Sequence, residues 1–295
     1  MNTVTATQNS TLGPLARQEI RNYLRSRLFW VGAALLALMS YVGLTGPDDR
    51  FSTVGDGLVP AAVIGLLGII VMAGMTRNSD RAAAAAGAVA VPQRTRTLAL
   101  ASAVVVPATA GLLWFATAIV GYHLHPPAAD AIPFGPVGDG FVYAGMFVEG
   151  VMACIGGPVL GLVIGRWLPG RGVAPVVAVV LVPVTIVMQP LFESVERWRV
   201  FWVWVHFYGP VGVDGDADRA AILTGSPYLH IAYLAALCVL GVLVALHRDP
   251  ESDRSRLRTA ILGVVAVAAV LAVLSMLGGE DERVPNPIPS SSATS

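Results

Sequence analysis

Long apolar runs, broken only by short charged segments, restrict this chain more than any other feature. Seven can be read: 28–44, 57–75, 98–121, 141–165, 173–192, 228–246 and 260–278. Each has the length, about 17–25 residues, that crosses a hydrocarbon core as a helix. Six contain no Asp, Glu or Arg, and the fourth contains Glu149. The apolarity is continuous, whereas a membrane barrel would alternate apolar and polar positions over strands of ~10 residues. A water-soluble fold lacks the surface it would need. Charged residues make up 13% of the chain and mean hydropathy is +0.68, against roughly 25% charged residues in soluble domains. The expected fold is an all-α integral membrane bundle of about seven transmembrane helices spanning 28–278. A cytoplasmic segment, 1–27, precedes it, and a Pro- and Ser-rich tail, 279–295, expected to be disordered and extracellular, follows. The apolar run at Leu28 comes after an Arg-bearing stretch, which is not the layout of a cleavable signal peptide.

All 19 basic residues are Arg, and there is no Lys. A phosphate-binding P-loop needs the Lys of G-x-x-x-x-G-K-[ST], and Schiff-base catalysis needs a Lys amine; both are excluded. Cys154 and Cys238 lie inside apolar runs and supply neither a disulfide framework nor a Cys-based metal site. His123 and His125 read as a solvated loop. No H-E-x-x-H or G-x-S-x-G arrangement occurs. The chain therefore reads as a non-enzyme without a cofactor or metal of its own, surrounded by lipid and with no nucleic-acid partner.

Arg placement sets the expected orientation, because cytoplasmic loops carry the excess of Lys and Arg. With the N-terminus inside, fourteen Arg fall in cytoplasmic segments and five outside. Seven spans then put the C-terminus outside. Thirteen acidic residues fall in the outer segments, including Asp214, Asp216 and Asp218, which makes that face acidic.

Residues 12–27 carry Leu12, Leu15, Ile20, Tyr23 and Leu24 broadly on one side, with Arg17, Gln18, Arg21, Asn22 and Arg25 on the other. This is either an amphipathic interfacial helix or an extension of the first span. The segment 193–210 holds Trp198, Trp202 and Trp204 with Phe201, Phe207 and Tyr208. It reads as a re-entrant or interfacial element at the outer surface, or as an aromatic belt extending the fifth span. Between spans two and three, Asp80 is expected to cap a short helix starting at Arg81 and running through the alanines around Ala85, with Pro92 closing the segment and Arg94 and Arg96 beyond it. The alternative is a basic loop that only sets topology. Glu149 is costly at membrane depth. It reads as a substrate or proton site, or as a protonated carboxyl hydrogen-bonded to a neighbouring helix. Gly157, Gly161 and Gly165 recur every four residues and suit close helix packing, within the subunit or across a dimer. Pro60, Pro107, Pro158 and Pro183 are expected to kink their spans.

Four stretches resemble a known family: LARQEIRNYLRSRLFW before span one, MTRNSDRAAAAAGAVAVPQRTRTLAL around the basic loop, GLVIGRWLPGRGVAP joining spans four and five, and GSPYLHIAYLAALC opening span six. Their order resembles the permease subunits of ATP-binding-cassette exporters of the type-2 permease superfamily. The resemblance covers most of residues 12–246. It implies that 81–91 is a coupling helix touching a cytoplasmic nucleotide-binding ATPase, with Asp80, Arg81, Ala85, Pro92 and Arg94 at the contact. It also implies a second permease chain as dimer partner, and ATP and magnesium held by the ATPase. Such permeases usually have six spans, so the seventh departs from the family plan. A proton-coupled secondary transporter using Glu149, or an accessory membrane protein, are the alternatives.

Overall fold

The computed structural model describes residues 3–45, 58–87, 91–124, 138–188, 200–204, 208–211, 219–222, 225–250, 252–278 and 283–285. Among them the apolar runs become helices: α2 (Arg27–Thr45), α3 (Leu58–Ala86), α4 (Gln93–Leu124), α5 (Asp139–Trp167), α6 (Val173–Met188), α7 (Pro227–His247) and α8 (Arg254–Leu277). They follow α1 (Thr3–Leu24). Five of these, α3, α4, α5, α7 and α8, are long and apolar enough to cross a membrane. The apolar stretches of α2 and α6, Arg27–Val42 and Val173–Met188, are shorter. The chain thus has the build of a helical multi-pass membrane protein.

α1 is a helix in its own right and not an extension of α2. The chain turns at Arg25 and Ser26, where Ser26 N–H bonds Tyr23 O at 3.0 Å and the Trp30 indole bonds Leu24 O at 2.6 Å. Tyr23, 1% exposed, stacks edge-on against Phe29 at 5.5 Å, while Arg17, Gln18, Arg21 and Arg25 are exposed. α1 packs along the first turns of α4.

α5 is the hub, touching α3, α4, α6 and α7. Its glycines explain the α3 contact. A Cβ at Gly157 would come within 2.9 Å of Gly65 Cα, at Gly161 within 2.9 Å of Ile69 Cα, and at Gly165 within 2.6 Å of Thr76 Cβ. Gly68 on α3 returns the favour, since its Cβ would meet Pro158 Cγ at 2.7 Å. The two backbones approach because small residues leave room, which is how helices adhere where lipid removes the hydrophobic drive. The glycine stripe therefore serves packing within the subunit.

The prolines act unequally. α4 breaks at Ala103–Val104, and Ala103 is the residue whose carbonyl the Pro107 ring displaces, four positions back. Pro60 leads into a π turn, Ala61–Gly65, in α3. α5 widens into a π turn at Phe147–Met152, ahead of Pro158. α6 continues through Pro183.

α7 starts on Ser226, whose hydroxyl accepts from Leu229 N–H, and α8 starts on Asp253, which accepts from Ser255 and Arg256 N–H at 3.1 Å. Ser226 N–H bonds Ser275 O at 2.8 Å and the Ser275 hydroxyl bonds Ser226 O at 3.1 Å, tying the start of α7 to the end of α8. The all-α expectation needs one addition. Strands β1 (Tyr208–Val211), β2 (Arg219–Ile222) and β3 (Arg283–Pro285) pair antiparallel in that order, so three residues of the tail expected to be disordered are in a ladder.

Candidate functional site

Charged residues from three separate helix connections meet at one end of the bundle. Asp80 Oδ1 accepts from Arg96 at 3.0 Å and also from Arg166. The Arg96 guanidinium further bonds Ser79 O at 3.0 Å and Val91 O at 3.2 Å. Asp249, after α7, accepts from Arg94 N–H at 2.9 Å. It thereby caps α4, whose own N-cap residue, Pro92, offers no side-chain acceptor. The Trp167 indole bonds Val244 O at 3.1 Å, and Arg248 lies over the Trp167 ring at 5.6 Å. The α3–α4, α5–α6 and α7–α8 connections thus share one polar end.

Within this cluster Arg166 is the deepest member: its side chain is 1% exposed, against 43% for Asp80. A guanidinium removed from water needs a carboxylate partner, and separating such a pair leaves an uncompensated charge. Among the described residues, Arg166 Nε and Nη2 have no hydrogen-bond partner. The cluster therefore holds α3, α4 and α5 together through one carboxylate facing two cations.

The expectation for Asp80 is corrected here. It caps no helix, because α3 runs unbroken from the apolar run through Arg81 to Ala86. Nothing between Met75 and Ala86 breaks a helix, and alanine propagates one. The carboxylate is taken by two guanidinium groups instead of orphan amides. α3 stops at Gly87, whose φ of +61° suits glycine and whose N–H returns to Ala83 O. Residues 88–90, the far part of the expected coupling helix, lie outside the described residues. Arg81 and Ala85 are exposed on the end of α3, and Arg94 is exposed at the start of α4. Neither Arg96 nor Arg166 stands out in the sequence beyond its part in the cytoplasmic Arg count. The clue was that Asp80 is the sole acid among four arginines in 76–97.

Glu149 lies elsewhere, in the π turn of α5, and is 7% exposed. α7 packs on that turn. α7 brings His230, fully buried and 5.4 Å from the Tyr233 ring, a residue that no sequence pattern singles out. Trp198 lies outside the described residues. Trp202 donates to Thr185 Oγ1 at 3.1 Å, and Trp204 is 8% exposed, packed with Ala153, Ala174 and Ala178. The Tyr233 hydroxyl donates to Phe201 O at 3.0 Å. Val200 and Trp204 are therefore buried against the bundle, at the level of the middle of α5, while Phe201 stays exposed.

The chain matches no protein-family model and no curated protein.

Proposed function

We propose that this chain is the permease subunit of an ATP-driven exporter of the ATP-binding-cassette type-2 kind, seated in the plasma membrane. The observation that carries the reading is the overhang of α3. Its 29 residues measure about 43 Å at 1.5 Å per residue, against a hydrocarbon core of about 30 Å. The excess is the Arg- and Ala-rich end beyond Thr76, stiff because it continues a membrane helix and braced because Asp80 ties it to α4 and α5. A cytoplasmic ATPase pressing on Ala82–Ala86 would move α3 as a rigid rod. The coupling element is then an axial extension of α3, not a separate peg lying across the surface. ATP and magnesium belong to that ATPase, since the chain has no Lys for a P-loop. A second permease chain would complete the transport path.

The same end carries most of the arginines, which supports a cytoplasmic location for it. α1 packs there and α8 ends at the other pole beside Ser226. This favours an odd number of crossings, seven if α2 and α6 also cross, with the N-terminus inside and the C-terminus outside.

Ala85→Trp tests the reading. It should abolish co-purification of the ATPase, or leave ATP hydrolysis running without transport, while the protein stays folded because Ala85 is exposed. Normal transport by that variant, with no ATPase bound to the unaltered chain, would remove the exporter from consideration.

Burial of Glu149 within a π turn favours a second reading, a proton-coupled transporter, because π turns occur often at functional sites. In that case Glu149→Gln stops transport and flattens its dependence on the proton gradient. Transport unchanged across pH leaves Glu149 a structural hydrogen-bonding group.

A further inference from the structure

Three arginines at the Arg-rich pole face one another with no acid between them. Arg77 follows Thr76 on α3 and is half-buried. Its side chain folds back toward the membrane: a Cβ on Gly74, one turn earlier, would lie 3.8 Å from Arg77 Nη2. Arg77 Nη1 is buried and has no hydrogen-bond partner among the described residues. The charges that face Arg77 belong to Arg81, one turn further along α3, and to Arg171, in the α5–α6 connection. Both are positive, and both side chains are exposed. Asp80, the acid nearest in sequence, is already held by Arg96 and Arg166. Like charges one turn apart on a helix repel, so the trio is left with positive charge that nothing in the described chain offsets.

An apolar surface begins within a turn of this cluster. α6 packs on α3, starts at Val173 two residues after Arg171, and turns Val176, Val179 and Val180 outward. We propose that Arg77, Arg81 and Arg171 bind the headgroup phosphate of an anionic phospholipid whose acyl chains lie along α6. Guanidinium forks pair with phosphate oxygens two bonds at a time, and the start of α6 adds the partial positive charge of a helix N-terminus. Arg77 contributes most. Burial of Nη1 denies it water, so an anion at the open edge of its guanidinium replaces solvation that the group lacks. Depth favours a lipid over an acidic patch on a protein. Ala82–Ala86 lies five to nine residues beyond Arg77, about 8–13 Å further from the hydrocarbon core, whereas Arg77 reaches back toward that core. The site needs only that the Arg-rich pole meets a membrane surface; it does not depend on the exporter reading.

The test is native mass spectrometry of the full chain in neutral detergent, without any ATPase, titrated with dioleoyl phosphatidylglycerol or dioleoyl phosphatidylcholine. Phosphatidylglycerol should form the first single-lipid adduct, and more tightly than phosphatidylcholine. Arg77→Gln should weaken that adduct about tenfold, or 1.4 kcal/mol, and Arg171→Gln about threefold. Arg77→Lys keeps the charge and loses the fork, and should fall between Arg77→Gln and the unaltered chain. Arg258→Gln removes one exposed arginine from the same pole, on α8, and should leave the adduct unchanged. Equal weakening by Arg258→Gln would show diffuse charge attraction and overturns the site. Equally tight phosphatidylcholine overturns it too. Displacement by inorganic phosphate, but not by acetate of equal ionic strength, would show an anion pocket indifferent to acyl chains and overturns the lipid assignment. An adduct unaffected by Arg77→Gln, with ATPase capture lost in a separate pull-down, would give these arginines to a protein partner instead. Arg171 lies in an exposed connection, so Arg171→Gln decides the matter even if Arg77→Gln fails to fold. A missing adduct leaves the coupling role of α3 standing, since no ATPase takes part.

Discussion

α5 and α8 are both long apolar helices, and they occupy opposite situations. The more apolar of the two is the less buried: α8 has mean hydropathy 2.8 with 17% of its most apolar stretch buried, while α5 has 2.0 with 72% buried. In water this order would be perverse. In lipid it is expected, because an apolar side chain loses nothing by facing hydrocarbon, whereas contact between helices is won by small residues and polar links. α5 has both. Gly157, Gly161 and Gly165 admit the α3 backbone, and Arg166 reaches Asp80. α8 packs on α7 through Ala268, Ala272 and Ser275, and turns Leu262, Val267, Val270 and Leu277 outward.

This contrast can be broken most sharply at the glycines. Gly161→Leu drives a side chain into the Ile69 backbone, and overpacking of this kind costs about 1–3 kcal/mol or more. It should abolish a monodisperse, thermally cooperative protein in detergent. Gly263→Leu on α8 should leave the melting profile unchanged. Equal damage from both would mean that α8 is as tightly engaged as α5.

The charged links separate the two helices less severely. Asp80→Ala strips Arg166 and Arg96 of their carboxylate. Removing one partner of a fully buried pair costs about 3–5 kcal/mol; with Asp80 43% exposed, we expect a smaller loss of about 1–3 kcal/mol. Asp253→Ala removes the α8 cap and should cost about 1 kcal/mol. Thermal unfolding of the two variants side by side checks the order.

The mildest outcome is expected from the largest deletion. A chain ending after Asp253 loses α8 entirely but keeps Asp249 on Arg94 N–H. Its α7 face passes from helix to lipid, and the Ser226–Ser275 hydrogen bonds, the packing of Ala268 and Ala272 and the β2–β3 pairing are forfeited. It should insert and keep a monodisperse, thermally cooperative profile in detergent close to that of the full chain. Collapse of that profile would make α8 part of the core.

Much of the architecture was legible before any coordinates. The seven apolar runs coincide with α2 to α8 because a run's length and lack of charge report its compatibility with hydrocarbon, a local property. The break in α4 follows from Pro107, again by a local rule. The amphipathic face of α1 was legible in its residue order, and Tyr23 is its most buried member.

What sequence did not disclose is who touches whom. Asp80 has the local grammar of a helix cap, and its true partners are sixteen and eighty-six residues away. Asp249 caps α4 through the N–H of Arg94, 155 residues before it. The aromatic stretch around Trp204 carries the composition of a membrane-surface belt, yet it is tied to α6 through Thr185 and to α7 through Tyr233. The sequence by itself determined that the chain forms apolar helices, roughly where each begins and ends, and that it has no Lys for a P-loop. The tertiary structure alone decided which helix lies at the centre, which acid meets which arginine, and that Gly156 faces a space while Gly157 faces a backbone. The reason is physical: compatibility with lipid is additive along a run, whereas packing and ion pairing depend on groups that the chain brings together only after it has folded.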